Sequence, residues 1–99
     1  MNTKKNEKQI LIFLFHSPTN GESQLIRNML RKAMPEHNRR MILREVDFDN
    51  EKDICARFKV YGIPTLLIQS AKNEIQRFSG VLNVEEIRRI INKTLAKKN

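Results

Sequence analysis

Apolar positions fall into segments of two kinds along this chain, and their periods predict alternating strands and helices. Gln9 to His16 reads Gln-Ile-Leu-Ile-Phe-Leu-Phe-His, an unbroken branched and aromatic run of the sort that fills a strand covered on both faces. After the turn-forming cluster Ser17-Pro18-Thr19-Asn20-Gly21, residues Leu25, Ile26, Met29, Leu30, Ala33 and Met34 recur at helical spacing, and Pro35 predicts the stop. Arg40 to Phe48 reads as a second strand, with Met41, Ile42, Leu43, Val46 and Phe48 interrupted by Arg44, Glu45 and Asp47. Asp49 or Asn50 then stands where a helix cap is needed, and Ile54, Cys55 and Phe58 share one face of a short helix. Tyr61-Gly62 ends that helix, with glycine expected in the left-handed conformation.

Ile63-Pro64-Thr65-Leu66-Leu67-Ile68 opens a third strand, its proline tolerated at the start. Asn73 predicts a tight turn that folds Ile75 to Phe78 back onto it as a hairpin, and Ser79-Gly80 closes the unit. Asn83 with Glu86 resembles a capping box ahead of the apolar stripe Val84, Ile87, Ile90, Ile91 and Leu95. The predicted order is βαβαββα, an α/β fold. Residues 9–96 form the domain, with 1–8 and 97–99 expected to be flexible ends. No internal repeat or linker interrupts it.

Composition narrows the picture. With 99 residues, 39% hydrophobic and 30% charged, the chain fits one soluble domain better than a disordered or membrane-spanning one. Its longest apolar run, Ile10 to Phe15, is too short to cross a bilayer, and Met1 to Gln9 leads into no signal-type segment, so a cytoplasmic protein without a membrane role is expected. The 19 Lys and Arg against 11 Asp and Glu give +8, which favours acidic partners, nucleic acid or plain solubility. The aromatics Phe13, Phe15, Phe48, Phe58 and Phe78 fall on core-facing positions and make no exposed stacking platform evident, so nucleic-acid binding rests on charge alone.

The single cysteine, Cys55, excludes an intramolecular disulfide, a two-cysteine redox motif and a thiolate-rich zinc site; no metal and no cofactor is expected. Its place beside Ile54 and Phe58 suits an inert buried thiol, while the sharper alternative is a thiol- or glutathione-linked activity. His16 ends the first strand without a carboxylate or nucleophile assigned to it by sequence.

The run Val46-Asp47-Phe48-Asp49, then Ala56-Arg57-Phe58-Lys59-Val60-Tyr61-Gly62-Ile63-Pro64-Thr65-Leu66-Leu67 and Phe78-Ser79-Gly80, resembles the thioredoxin superfamily from about Gln9 to Leu95. The resemblance implies a mixed four-stranded sheet in the order 2-1-3-4 flanked by three helices, and a cis bond between Ile63 and Pro64. It also implies that Thr19 and Glu22 occupy the positions of the family's two active-site cysteines, with Pro18 for the tryptophan before them and Phe13 for the buried acid. Disulfide exchange needs an attacking and a resolving thiol, so a redox-inactive module is expected. The circadian KaiB family shares the fold without the cysteine pair, but the second half of this chain fits thioredoxin better.

In the family a groove beside these loops holds substrate. The resemblance therefore implies a peptide or protein partner bound by Ser17, Pro18, Thr19, Asn20, Gly21, Glu22, Ser23, Ile63 and Pro64. The plainer reading of the same polar loop is helix capping. Thioredoxins carry an extra strand and helix ahead of the central strand, and nine residues cannot supply both. Arg40 to Phe48 is thus expected at a sheet edge, where Arg39, Arg40, Arg44 and Glu45 either guard against strand addition or select a partner, a second copy of the chain included.

Overall fold

The computed structural model describes residues 9–33, 41–70, 75–80 and 83–96. The expected Pro35 stop, the Asn73 turn, Met34, Arg39, Arg40 and both chain ends lie outside these residues. The elements are β1 (Ile10–His16), α1 (Gly21–Ala33), β2 (Met41–Asp47), α2 (Lys52–Arg57), β3 (Thr65–Gln69), β4 (Ile75–Ser79) and α3 (Val84–Ala96). The sheet runs β2-β1-β3-β4, with β1 parallel to β2 and antiparallel to β3, and β3 antiparallel to β4. This is the architecture and strand order expected from the sequence.

Strand alternation divides the interior in two. Ile10, Ile12 and Leu14 of β1, with Leu66 and Ile68 of β3, face one way and pack with Ile26 and Leu30 of α1 and Ile87 and Ile91 of α3. Phe15 and Leu67 face the other way, where they meet Val46, Cys55 and Val60, with Phe13, Phe48 and Phe58 packed around them. Phe58 lies against two rings, its centroid 5.0 Å from that of Phe13 and 6.2 Å from that of Phe15. β1 is apolar at every position but its last because both faces of it are covered.

Two local expectations change, and two apolar residues lie outside the core. Leu25 is exposed on α1, since the helix buries a narrower stripe than its apolar positions allow, and Ile42 is exposed on the α2 side of β2. Neither Asp49 nor Asn50 caps α2. Glu51 holds that place without a side-chain cap, while Asp47 Oδ1 accepts the amides of Asp49 and Asn50.

The left-handed residue after α2 is Lys59, with φ of 57°, and not Gly62. Val60 N–H donates to Cys55 O at 2.8 Å and Lys59 N–H to Ala56 O at 3.0 Å, the paired bonds of a Schellman exit. Val60 and Cys55 pack in one cluster, the apolar contact that accompanies such an exit. The demand for a left-handed residue therefore falls two positions beyond Arg57, before Gly62 is reached. At α3 the capping box forms, Asn83 N–H donating to Glu86 Oε1 and Glu86 N–H to Asn83 Oδ1.

Candidate functional site

The segment between β1 and α1 is held by its own side chains. Asn20 Oδ1 accepts the Ser23 amide at 2.7 Å, satisfying one of the free donors at the start of α1. Ser23 is fully buried; its Oγ accepts the Ser17 amide at 3.1 Å and can donate to Asn20 O or Ser17 O. Ser17, also buried, donates its hydroxyl to Asp49 Oδ2 at 2.6 Å and lies 3.0 Å from Thr19 Oγ1. Gln24 bonds Ser17 O and meets His16 Nδ1 at 3.2 Å. Capping is what most of this loop does. Pro18, Thr19, Gly21 and Glu22 remain exposed and Asn20 half-exposed.

Ile63 and Pro64 leave the same end of the sheet, because Phe15 pairs with Thr65 across the β1–β3 ladder. The Ile63–Pro64 peptide is cis. Pro64 is buried and Ile63 half-buried. They border a shallow depression of about 340 Å³ with Lys59, Tyr61, Arg77 and Gly80, and Tyr61 is 81% exposed above it. Gly80, at φ of 90°, donates its amide to Pro64 O, which ties the hairpin end to this corner. The two parts of the expected groove thus share one end of the sheet, and among the described residues no hydrogen bond joins them.

Two acids missed in the sequence enter the site. Asp49 receives the Ser17 hydroxyl, and Asp47 lies beside His16 in the β1–β2 register. The Asp47 carboxyl is held below its ordinary range by the Asn50 side chain, against a smaller opposing effect of desolvation, with help from the amides of Asp49 and Asn50 and the charge of His16. A usable signal existed, because parallel neighbours leave the sheet at one end and bring their exit loops together. Phe13 packs its ring against that of Phe58 on the α2 side of the sheet.

Cys55 is 6% exposed, in the core between α2 and the sheet. Burial raises its pKa, outweighing the opposing charge of Lys52, so the thiol form is favoured. Among the described residues no cluster of three or more His, Cys, Asp or Glu side chains is arranged to hold a metal ion, and no helix is long and apolar enough to cross a membrane.

A parallel β1–α1–β2 unit, an antiparallel β3–β4 hairpin entered through a cis proline, and a closing helix define a thioredoxin-fold domain. The family model for thioredoxin matches residues 2–93, and the chain belongs to that family. Its curated relatives include the mitochondrial thioredoxin of Bos taurus, 19% identical over 90 residues, and the NADPH-dependent thioredoxin reductase 3 of Arabidopsis thaliana, 25% identical over 83. These alignments take in 91% and 84% of this chain, but only 54% and 16% of those proteins. Among solved structures, a mutant thioredoxin from Halobacterium salinarum superposes with a TM-score of 0.80 at 14% identity, over 96% of this chain and 82% of that one. A chloroplastic thioredoxin z gives 0.78 at 23% identity, over 91% and 81%. At these identities the superpositions establish the fold. With one cysteine, the chain cannot close a disulfide within itself.

Proposed function

We propose that this chain is a redox-inactive thioredoxin-fold module that binds an extended peptide or protein segment at the end of the sheet where Pro18–Glu22 and Ile63–Pro64 emerge. The observation that carries the reading is the division of labour in the β1–α1 loop. Ser17, Asn20 and Ser23 hold its backbone, while Thr19 and Glu22, which the family resemblance aligns with its two cysteines, stay exposed and carry no sulfur. A preorganised loop lowers the ordering cost of binding. The neighbouring depression under exposed Tyr61 offers an apolar contact beside it. The burial of Cys55 and its raised pKa weigh against an oxidoreductase working through that thiol.

Peptides selected on the native chain from a random display library test the reading when rescreened against Thr19→Arg and Pro64→Ala variants whose folding is verified by circular dichroism. Loss of binding in both is expected. Undiminished binding to both removes the proposed site. Dithiol-driven insulin reduction is expected at the uncatalysed rate, and turnover abolished by Cys55→Ser replaces this reading with the enzymatic one.

A further inference from the structure

The outer side of the β3–β4 hairpin carries a second surface, unrelated to the loop just described. Gly80 N–H bonds Pro64 O toward β3, so by the alternation of an antiparallel ladder the backbone groups of Ser79, Arg77 and Ile75 point away from β3. β4 ends the described sheet, and no described residue pairs with that outer side. Above this edge, the second half of α3 and β4 enclose a groove of about 540 Å³. Its floor is Phe78 and Ile90, both half-buried, and its wall carries Arg89 and Lys93, both exposed. Neither cation forms an ion pair or hydrogen bond among the described residues.

We propose that this groove and the β4 edge together take an acidic peptide, added as a fifth strand next to β4 with its acidic side chains reaching Arg89 and Lys93. The spacing fits. Arg89 and Lys93 are four residues apart on one helix face, about 6 Å along the axis, and alternate side chains of an extended strand are about 6.6 Å apart on one face. Strand addition supplies main-chain hydrogen bonds, and the groove selects side chains on the α3 side: carboxylates for the two cations, an apolar residue for the floor. Charge complementarity sets the occupant. A second copy of a chain with net charge +8 would bring like charges to a two-fold face. Single-stranded nucleic acid finds no exposed ring to stack on in this groove, where Phe78 is half-buried.

The test is a fluorescence-anisotropy titration of the full chain with a labelled peptide whose alternate residues, those sharing one face of a strand, are glutamate, glutamate and valine, with threonine between them. The comparison probes are two forms of the same peptide, N-methylated at one or the other set of alternate backbone amides, together with an oligothymidine and anionic phosphatidylserine vesicles. The first peptide is expected to bind, to weaken roughly tenfold or more against an Arg89→Glu, Lys93→Glu double variant, and to keep its affinity for Thr19→Arg. The variant is exposed at both positions, and its helix content by circular dichroism confirms folding. N-methylation that blocks the peptide edge facing β4 is expected to cost a similar factor. Equal binding of both methylation registers, indifference to the double variant, no binding at all, or tighter binding of oligothymidine or vesicles would each overturn the proposal.

Discussion

The two covers of the sheet are built to different standards. On one side α1 and α3, thirteen residues each, lay aliphatic side chains over Ile12 and Leu14, both fully buried. On the other the six-residue α2 covers an aromatic group in which Phe13, Phe48 and Phe58 all keep partial exposure. The thick cover supplies most of the burial that resists unfolding. The thin cover leaves room for conformations governed by local bonding, such as the Schellman exit at Lys59 and the Arg77 guanidinium, which donates to Phe58 O at 2.7 Å. The comparison teaches that one face of this sheet is closed by aliphatic packing under two long helices, and the other by a short helix whose exit is fixed by backbone bonds.

The largest expected effect separates the faces directly. Leu14→Ala removes a fully buried side chain between α1 and α3 and should cost about 3 kcal/mol in urea unfolding, within the range for buried leucine truncations. Phe13→Ala, its immediate neighbour facing α2, should cost about half as much because its ring is already half-exposed and the thin cover can settle. Equal losses at the two positions would show that the covers share the load.

The second effect lies at the entry to the thick cover. Asn20→Ala removes the acceptor for the Ser23 amide and should destabilise the chain by about 1 kcal/mol. α2 has no side-chain cap to lose, so Glu51→Gln should fall below that figure. Denaturant midpoints at constant slope check both.

How far the sequence foretold these regions follows from the same contrast. Periodicity found the elements and their order because β1 is buried on both faces and α3 carries one clear apolar stripe that begins at its capping box. It did not tell that Leu25 and Ile42 are exposed, since hydropathy marks which residues can be buried and not which ones the neighbouring elements reach. The conformation at Lys59 was hidden because glycine preference is statistical, whereas the paired bonds of Val60 and Lys59 dictate which residue turns. In the site, the capping role of Asn20 was legible from local spacing. The Ser17–Asp49 bond spans 32 positions and required the parallel pairing of β1 with β2 to be put to use.

A smaller effect depends on pH. Glu45 projects from β2 toward α1, where Arg27 Nε donates to it at 3.0 Å and Arg31 donates twice, at 2.9 and 3.0 Å. Desolvation raises its pKa, but the hydrogen bonds and charges of Arg27 and Arg31 together outweigh this and hold it below the ordinary 4.5. The unfolded chain therefore binds this proton first. The stabilisation is present above the ordinary value and is lost as pH falls through the lower folded one. Glu45→Gln should cost less than about 1 kcal/mol at pH 7, and the gap to the parent should close on acidification below 4.5. A constant gap would place the contribution in packing.

The smallest effect tests the edge of β2, on the thin side of the sheet. Arg44 approaches Glu51 at 3.5 Å with both side chains well exposed, so the pair itself should contribute under about 0.5 kcal/mol. Its guanidinium also donates to Glu45 O at 3.0 Å, and Glu51 Oε1 accepts the Asp47 amide, so side chains already occupy backbone groups that an incoming strand would use. Arg44→Ala should leave the urea midpoint almost unchanged while raising self-association measured by sedimentation velocity at high protein concentration. A shifted midpoint without association would make Arg44 a stabiliser of the strand, and the difference between this edge and the β4 edge would then need another cause.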